Sequence, residues 1–368
     1  MTRSVGAASL TGMQPVARTR VASEKDRPTI YDVARTARVS TSTVSRSLSG
    51  AARVAPETQR RISRAIEHHH YELNSVARGL ATRMNRTIAL LLPDITNPFF
   101  PALVRSVQRL ADERDFALLL CQTGSDSDRE RRYLELVRQQ RVAGIISIGV
   151  DLDGATVDLS HGHTPVVSLD RRIKLLGSTV VEVDNRQGGI LATEHLTGLG
   201  HTQIACMLGP QGLYVSAERA AGWRAGLDAA GVRPRRSLTV AAGFTEEAGA
   251  IAADRLLRGG VHFTALVTAN DLCALGAIVR LREHGLRVPT DVSVVGFDGI
   301  SLGDYTSPPL TTVSQPVSDM GYRAAEILLD QVESLDAPEP PPFVIFQPQL
   351  LIRGSTAPPQ QPMSESRS

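Results

Sequence analysis

Two sets of polar residues have the types and spacing to do chemistry. The first is Thr41, Ser42, Ser45 and Arg46 within TSTVSRSL. They share the outward face of a short helix once Val44 and Leu48 turn inward. Short hydroxyls beside one guanidinium suit hydrogen bonds to base edges, and Arg can pair with guanine through two bonds. The second set lies at the ends of apolar runs: Asp94 with Asn97, Gln122, Asp170 with Arg171, Asn270 with Asp271, and Asp298. Phe99, Phe100 and Phe244 fall in adjacent loops. Carboxylates and amides beside aromatic faces suit a polyhydroxylated ligand, which offers paired hydroxyls and an apolar ring face. Any single member reads more readily as a loop cap; recurrence in both halves of the chain favours a ligand.

Neither set is a catalytic constellation. No nucleophile with a base, no metal cluster and no glycine-rich phosphate loop stands at a recognisable spacing, and PDITNPFF after the first apolar run cannot cradle a phosphate. The three adjacent histidines His68–His70 diverge around a helix rather than converge on a metal. Cys121, Cys206 and Cys273 are odd in number and widely spaced, which excludes a disulfide framework and suits buried thiols in a reducing compartment. With no apolar run of membrane-spanning length and no leader with a continuous apolar core, a cytoplasmic protein is expected, with no cofactor and no enzymatic activity.

The elements that position these residues follow from periodicity. Thr29 and Asp32 have capping-box spacing ahead of a helix whose Ile30, Val33, Ala34 and Ala37 share one face. Arg38 and Val39 make a turn, and Ser40 caps the TSTVSRSL helix. A third helix opens at Pro56, with Ile62, Ala65 and Ile66 inward and Arg60, Arg61 and Arg64 available to backbone phosphates. This is the sequence form of a helix-turn-helix, although twenty such residues alone also describe a surface helical hairpin. The charge split, the capped linker at Asn74 and the two-subdomain body that follows favour the first. Residues 1–86 carry fifteen Lys or Arg against six Asp or Glu, net +9, while the remainder is net −7. A basic module ahead of an acidic body is the electrostatic footprint of a DNA reader joined to a regulatory domain.

From Thr87 the pattern becomes near-continuous apolar strands alternating with amphipathic helices. The strands read IALLLPD, FALLLCQ, GIISIGV, PVVSLD, TVVEVD, QIACMLG, LTVAAG, ALVTAN, SVVGFD and LTTVSQ. Helices are expected over Phe100–Arg114, Asp128–Gln140, Gly188–Leu199, Ala217–Ala230, Thr245–Leu257, Asp271–Glu283 and Val317–Val332. Such alternation means parallel sheet covered on both faces, and ten strands mean two doubly wound subdomains. Ligands of open parallel sheets bind beyond the carboxyl ends of the strands, where the second polar set lies.

Residues 28 to 355 closely resemble the lactose-repressor (LacI/GalR) family of bacterial transcription regulators. The motifs are TIYDVARTARVSTSTVSRSL, VAPETQRRI, YELNSVARGL, RTIALLLPDITNPFF, EHLTGLGHTQIACMLGP, SAERAAGWRAGL, ALVTANDLCALGA, DVSVVGFDGI and SPPLTTVSQP. The resemblance implies an all-α DNA-binding headpiece on an α/β core like that of periplasmic sugar-binding proteins. It implies that Thr41, Ser42 and Arg46 read bases, that Arg53 touches DNA from a loop, that Asn74 caps a hinge helix and that Leu80 wedges into the minor groove. It likewise places Phe99, Arg219, Phe244, Asn270 and Asp298 at effector-contacting positions, together with Asp170 and Arg171. Trp223 lies in a family motif but reads as core.

The expected organisation is an arm over 1–27, a headpiece over 28–73, a hinge over 74–85, a core over 86–355 and a tail over 356–368. Within the core, one subdomain takes 86–186 and 316–340 and the other 187–315 and 341–355. Several positions depart from the family pattern. Arg38 stands where a left-handed turn favours Gly or Asn, Leu73 replaces a frequent proline, Gly79 weakens the hinge helix, and Ala55 replaces a capping serine. The tail lacks a heptad repeat. The implied function is a homodimeric repressor of a carbohydrate-utilisation operon, bound to double-stranded palindromic operator DNA under the control of a small-molecule effector such as a sugar or sugar phosphate. Alternatives are an activator, a regulator with a purine corepressor or a protein partner, and a sugar-binding protein without a DNA role.

Overall fold

A computed structural model describes residues 28–49, 54–69, 71, 85–124, 126–148, 164–170, 179–333 and 343–360. The chain divides into two compact units between Asn85 and Arg86.

In the first unit, helices α1 (Ile30–Ala37), α2 (Thr41–Ser49) and α3 (Pro56–His69) close on Val33, Ala34, Ala37, Val44, Ile62 and Ala65, all buried. Both the Thr29 backbone N–H and its hydroxyl donate to Asp32 Oδ2, at 2.9 and 2.7 Å, so the expected capping pair forms. Ser40 Oγ accepts from Thr43 N at 3.2 Å at the start of α2. The turn between them bends at Arg38, whose φ of 53° and ψ of 49° are left-handed. A side chain in that conformation costs about 1 kcal/mol or more relative to glycine.

Arg61, although exposed, also serves the fold. Its Nε and Nη2 donate to Ala37 O at 3.0 and 2.6 Å, and Nη2 also reaches Arg38 O at 3.0 Å. These are carbonyls that a helix end leaves unsatisfied, so α3 caps α1 and holds the strained turn. Thr36 Oγ1 and His69 Nε2 meet at 2.6 Å, a second tie between the same helices.

The second unit is an α/β core with two six-stranded sheets. The first has the order β11-β5-β4-β3-β1-β2 and the second β12-β10-β9-β8-β6-β7. Here β1 is Thr87–Leu92, β2 Ala117–Gln122, β3 Gly144–Ile148, β4 Val166–Leu169, β5 Thr179–Val183 and β6 Ile204–Leu208. The remainder are β7 Thr239–Ala241, β8 Ala265–Val267, β9 Ser293–Asp298, β10 Thr311–Ser314, β11 Phe343–Phe346 and β12 Gln349–Leu351. All pairings are parallel except β10 with β12.

On the first sheet, α4 (Phe99–Glu113) and α10 (Val317–Glu333) cover one face, and α5 (Ser127–Gln139) packs on the other. On the second, α6 (Asn185–Gly198) and α7 (Tyr214–Ala229) oppose α8 (Glu246–Arg258) and α9 (Asp271–Glu283). The seven core helices match the sequence expectation to within a few residues. Trp223 is buried in this core, and all three cysteines are buried.

Two expected boundaries move. Residues 343–346 pair with β5 and so belong to the first sheet, although 341–355 was expected in the second subdomain. Thr356 and Ala357, expected in the tail, are hydrogen-bonded to the second subdomain. His195 Nε2 meets Thr356 Oγ1 at 2.9 Å, and Ala357 O accepts from His201 Nε2 at 2.8 Å and from Ser293 Oγ at 2.9 Å. Pairing partners distant in the chain place both segments, and no local periodicity signals them.

The left-handed turn and its clamp predict opposite effects. Arg38→Gly should stabilise α1–α3 by about 1 kcal/mol, and Arg61→Ala should destabilise them by roughly 1–3 kcal/mol. Hydrogen exchange of the Val33 and Ala37 amides in the full chain reads both changes. Slower exchange in Arg61→Ala would refute the clamp.

Candidate DNA-reading helix and effector cleft

On α2, Ser42 and Arg46 are exposed while Thr41 and Ser45 are half-buried. Positions 42 and 46 are one helical turn apart and therefore share a face. Arg46 Nε donates to Ser42 O at 3.2 Å, which lays its guanidinium along that face. Ser42 Oγ meets the capping hydroxyl of Ser40 at 2.8 Å. The result is a short polar helix face with one cation. Arg53, Asn74 and Leu80 lie outside the described residues, as does Arg171.

The effector set converges in the core around Arg219. This side chain is almost buried on α7, and its geometry depends on a close helix crossing. A Cβ at Gly189 of α6 would stand 2.4 Å from Arg219 O, and one at Gly222 of α7 would stand 2.8 Å from Gly189 Cα. Only glycine at both positions lets the helices approach this far. The approach brings Arg219 Nε to 2.8 Å from Asn185 Oδ1 at the start of α6. Nη1 donates to Ala269 O at 2.8 Å and lies 3.5 Å from Asp298 Oδ1. The guanidinium carbon stands 3.7 Å from the Phe297 ring centre and 5.9 Å from that of Phe244.

The carboxylates come from both subdomains. Asp170 follows β4 of the first sheet and Asp298 ends β9 of the second, each at a strand's carboxyl end. Both have positive φ, 53° and 114°. Non-glycine residues held there cost on the order of 1–3 kcal/mol, and such strain gathers at binding sites. Val183 N donates to Asp170 Oδ1 at 3.3 Å, and Gln315 Nε2 to Asp298 Oδ1 at 2.8 Å. Asn270 caps α9 through Cys273 N at 2.9 Å and donates to Phe244 O at 3.1 Å, which fixes the Phe244 loop. Behind these, Ile300 N and the Thr312 hydroxyl donate to the buried Asp271 carboxylate at 2.8 and 2.5 Å.

Phe99 sits at the first turn of α4, packs on Leu272 and Ile300 of the other subdomain, and stands edge-on to Phe100. The structure therefore gathers Asp170, Arg219, Phe244, Asn270 and Asp298, with Phe99 against the adjoining loops. Asp94 and Asn97 act locally, accepting from Thr96 N at 2.9 Å and Phe99 N at 3.0 Å. Asn185, Phe297, Gln315 and Ser216 complete the wall and were missed. Asn185 and Gln315 follow apolar strands, so the strand-end rule that selected Asp298 would have found them.

Burial raises the Asp298 and Asp170 carboxyls from 3.8 to about 6, while Arg219 pulls both downward. Burial in turn presses the Arg219 guanidinium down, against the pull of Asp298 and Asp170. A carboxyl whose folded pKa is raised favours the folded state fully below pH 3.8. That contribution is lost as pH climbs through about 6. His195 and His201, which burial presses downward, slope the other way. The difference between Asp298→Asn and wild type reads this carboxyl together with its repulsion of Asp170 and Asp271: the melting temperature of the variant relative to wild type should rise from pH 5 to pH 7 by an amount corresponding to about 1 kcal/mol. A constant difference would show that Asp298 titrates at its ordinary value.

Residues 29–74 match the family described as bacterial regulatory proteins, lacI family, and residues 193–356 match the periplasmic binding protein-like domain. The transcriptional regulator DegA of Bacillus subtilis is 34% identical over 339 residues, spanning 90% of this chain and 99% of DegA. The lac repressor dimer bound to operator and the anti-inducer ONPF superposes with a TM-score of 0.77 at 27% identity, covering 90% of this chain and 99% of that one. The complex of the transcriptional regulator CelR with cellobiose gives a TM-score of 0.69 at 31% identity, over 89% and 100% of the two chains. A polar α2 face, two parallel-dominated sheets with carboxylates at their strand ends, and likeness along nearly the whole length make this chain a DNA-binding transcriptional regulator of the LacI family.

Proposed function

We propose that the protein is a homodimeric repressor of a carbohydrate-utilisation operon whose grip on a palindromic operator is set by a sugar in the core cleft. The observation that carries the effector half is the convergence of Asp170 and Asp298 on Arg219, one carboxylate from each subdomain. A ligand bridging them is sensitive to the angle between subdomains, and it shifts that angle only as far as it prefers one state. Ser216 Oγ and Gln315 Oε1 are buried there without a hydrogen-bond partner among the described residues. Together with the carboxylates and Asn270 they suit hydroxyl groups, and Phe99, Phe244 and Phe297 suit a sugar's apolar face. The CelR complex with cellobiose supports the same class of ligand.

The DNA half rests on α2. Thr41, Ser42, Ser45 and Arg46 are assigned to the major groove, Arg46 to a guanine in each half-site. Arg53 is assigned to a DNA contact from its loop, Asn74 to capping the hinge and Leu80 to the minor groove, all by resemblance. The lac repressor's dimeric complex with operator supports a two-fold arrangement, in which each copy reads one half-site. Among the described residues no helix is long and apolar enough to cross a membrane, and a cytoplasmic location is part of the proposal.

Arg46→Ala should abolish retention of a duplex that wild type selects from a random pool, with an unchanged circular dichroism spectrum. Retention of the same sequence by the variant would remove Arg46 from base reading. For the cleft, a panel of neutral sugars, sugar phosphates and purines is screened by thermal shift. A neutral sugar should raise the melting temperature of wild type and not that of Asp298→Asn; a response to purines alone would replace the effector class.

A further inference from the structure

The core begins at Arg86, so any force that passes along the chain between cleft and DNA module crosses this residue. Its side chain is unusually well held for an exposed arginine. Nη2 donates to Arg114 O at 2.6 Å and Nε to Asp115 O at 3.1 Å, both just beyond the end of α4. Nη2 also lies 3.3 Å from Glu333 Oε1 in the last turn of α10, and the guanidinium carbon stands 4.6 Å from the Phe116 ring centre. Arg114 ties the same two helix ends together, reaching Asp330 at 2.6 Å and Glu333 at 3.4 Å.

The opposite ends of these helices lie at the cleft. Phe99 opens α4 and Val317 opens α10, and both pack in the cluster with Leu272 and Ile300 of the other subdomain. Gln315, two residues before α10, holds Asp298. The helices are therefore two struts of about 22 and 25 Å that run from cleft to hinge attachment. They are packed closely, since a Cβ on Gly321 of α10 would stand 2.2 Å from Ser106 Oγ of α4. Closely packed helices move as rigid bodies rather than deform.

From this arrangement we infer that Arg86 is a positioning residue, a clasp that gathers the far ends of α4 and α10 and couples the cleft to the hinge. The inference rests on the proposed effector-controlled DNA binding. Because coupling between binding sites is reciprocal, DNA can serve as the only ligand in its test. Full-length protein is compared with and without the duplex that wild type selects from a random pool, and amide exchange is followed in the first turns of α4 and α10.

In wild type, DNA should change exchange at residues 100, 102 and 103 and at 318–321 by about fivefold or more. Arg86→Ala should bind the duplex yet show no DNA-dependent change in either turn. The double variant Asp330→Asn, Glu333→Gln keeps the Arg86 bonds to the α4 carbonyls. It should lose the response of α10 and retain that of α4, a split that general destabilisation would not produce. Full responses in both variants, or none in wild type bound to DNA, would overturn the clasp and leave the regulator reading intact. If wild type selects no sequence at all, both fall.

Discussion

A guanidinium that is almost removed from water must be paired, and much of the core is arranged to meet that need at Arg219. Desolvating an unpaired charge is far more expensive than any packing gain nearby. Asn185, Ala269 O and Asp298 therefore surround it, and the Phe297 ring lies beneath it. Each partner comes from a different strand end or helix start. The charge can be satisfied only when α6, α7, β8 and β9 are all in register. The Gly189–Gly222 crossing serves the same end, since a methyl group at either position would push Arg219 away from Asn185. Asp170 brings the first sheet into the same electrostatic neighbourhood, so the two subdomains share one charge cluster.

That cluster is not balanced. The half-buried carboxylate of Asp170 and the buried ones of Asp271 and Asp298 all lie in the electrostatic neighbourhood of Arg219, and desolvation holds all three pKa values above the ordinary carboxylate range. The positive φ at Asp170 and Asp298 adds backbone strain at the same place. A fold selected for stability alone would replace these residues with apolar ones. Asp170 and Asp298 stand at strand ends beside Ser216 and Gln315 atoms that lack a hydrogen-bond partner among the described residues, which is the arrangement the proposed effector site requires.

The headpiece shows the same logic on a smaller scale. Among the described residues six buried apolar side chains make a slight core, and a unit of this size buries a smaller fraction of its surface than a large domain does. Arg61 compensates by capping α1 across the unit, which lets Arg38 occupy a backbone conformation it disfavours. Arg61, one of the fifteen basic residues of 1–86, thus gives its hydrogen bonds to the fold while its side chain stays exposed.

Among the described residues, the helix pair, its caps, the left-handed turn, ten of twelve strands and the seven core helices were legible in the sequence. Each is written in contacts within a few residues: periods of 3.6 or 2, a capping pair three positions apart, a residue type at a turn. The strand-end rule also marked Asp170, Asn270 and Asp298 as neighbours of a cleft, whereas Arg219 stood out only through family resemblance. Tertiary structure alone decided the rest. β11 and the Thr356–Ala357 segment are placed by partners far along the chain, Arg61 turned out to cap α1, and Asn185 meets Arg219 across 34 residues. The physical reason is the same throughout. Local spacing states what each residue prefers, but which buried charge meets which carboxylate is settled only when helices and sheets pack, because desolvation makes every unpaired alternative too expensive.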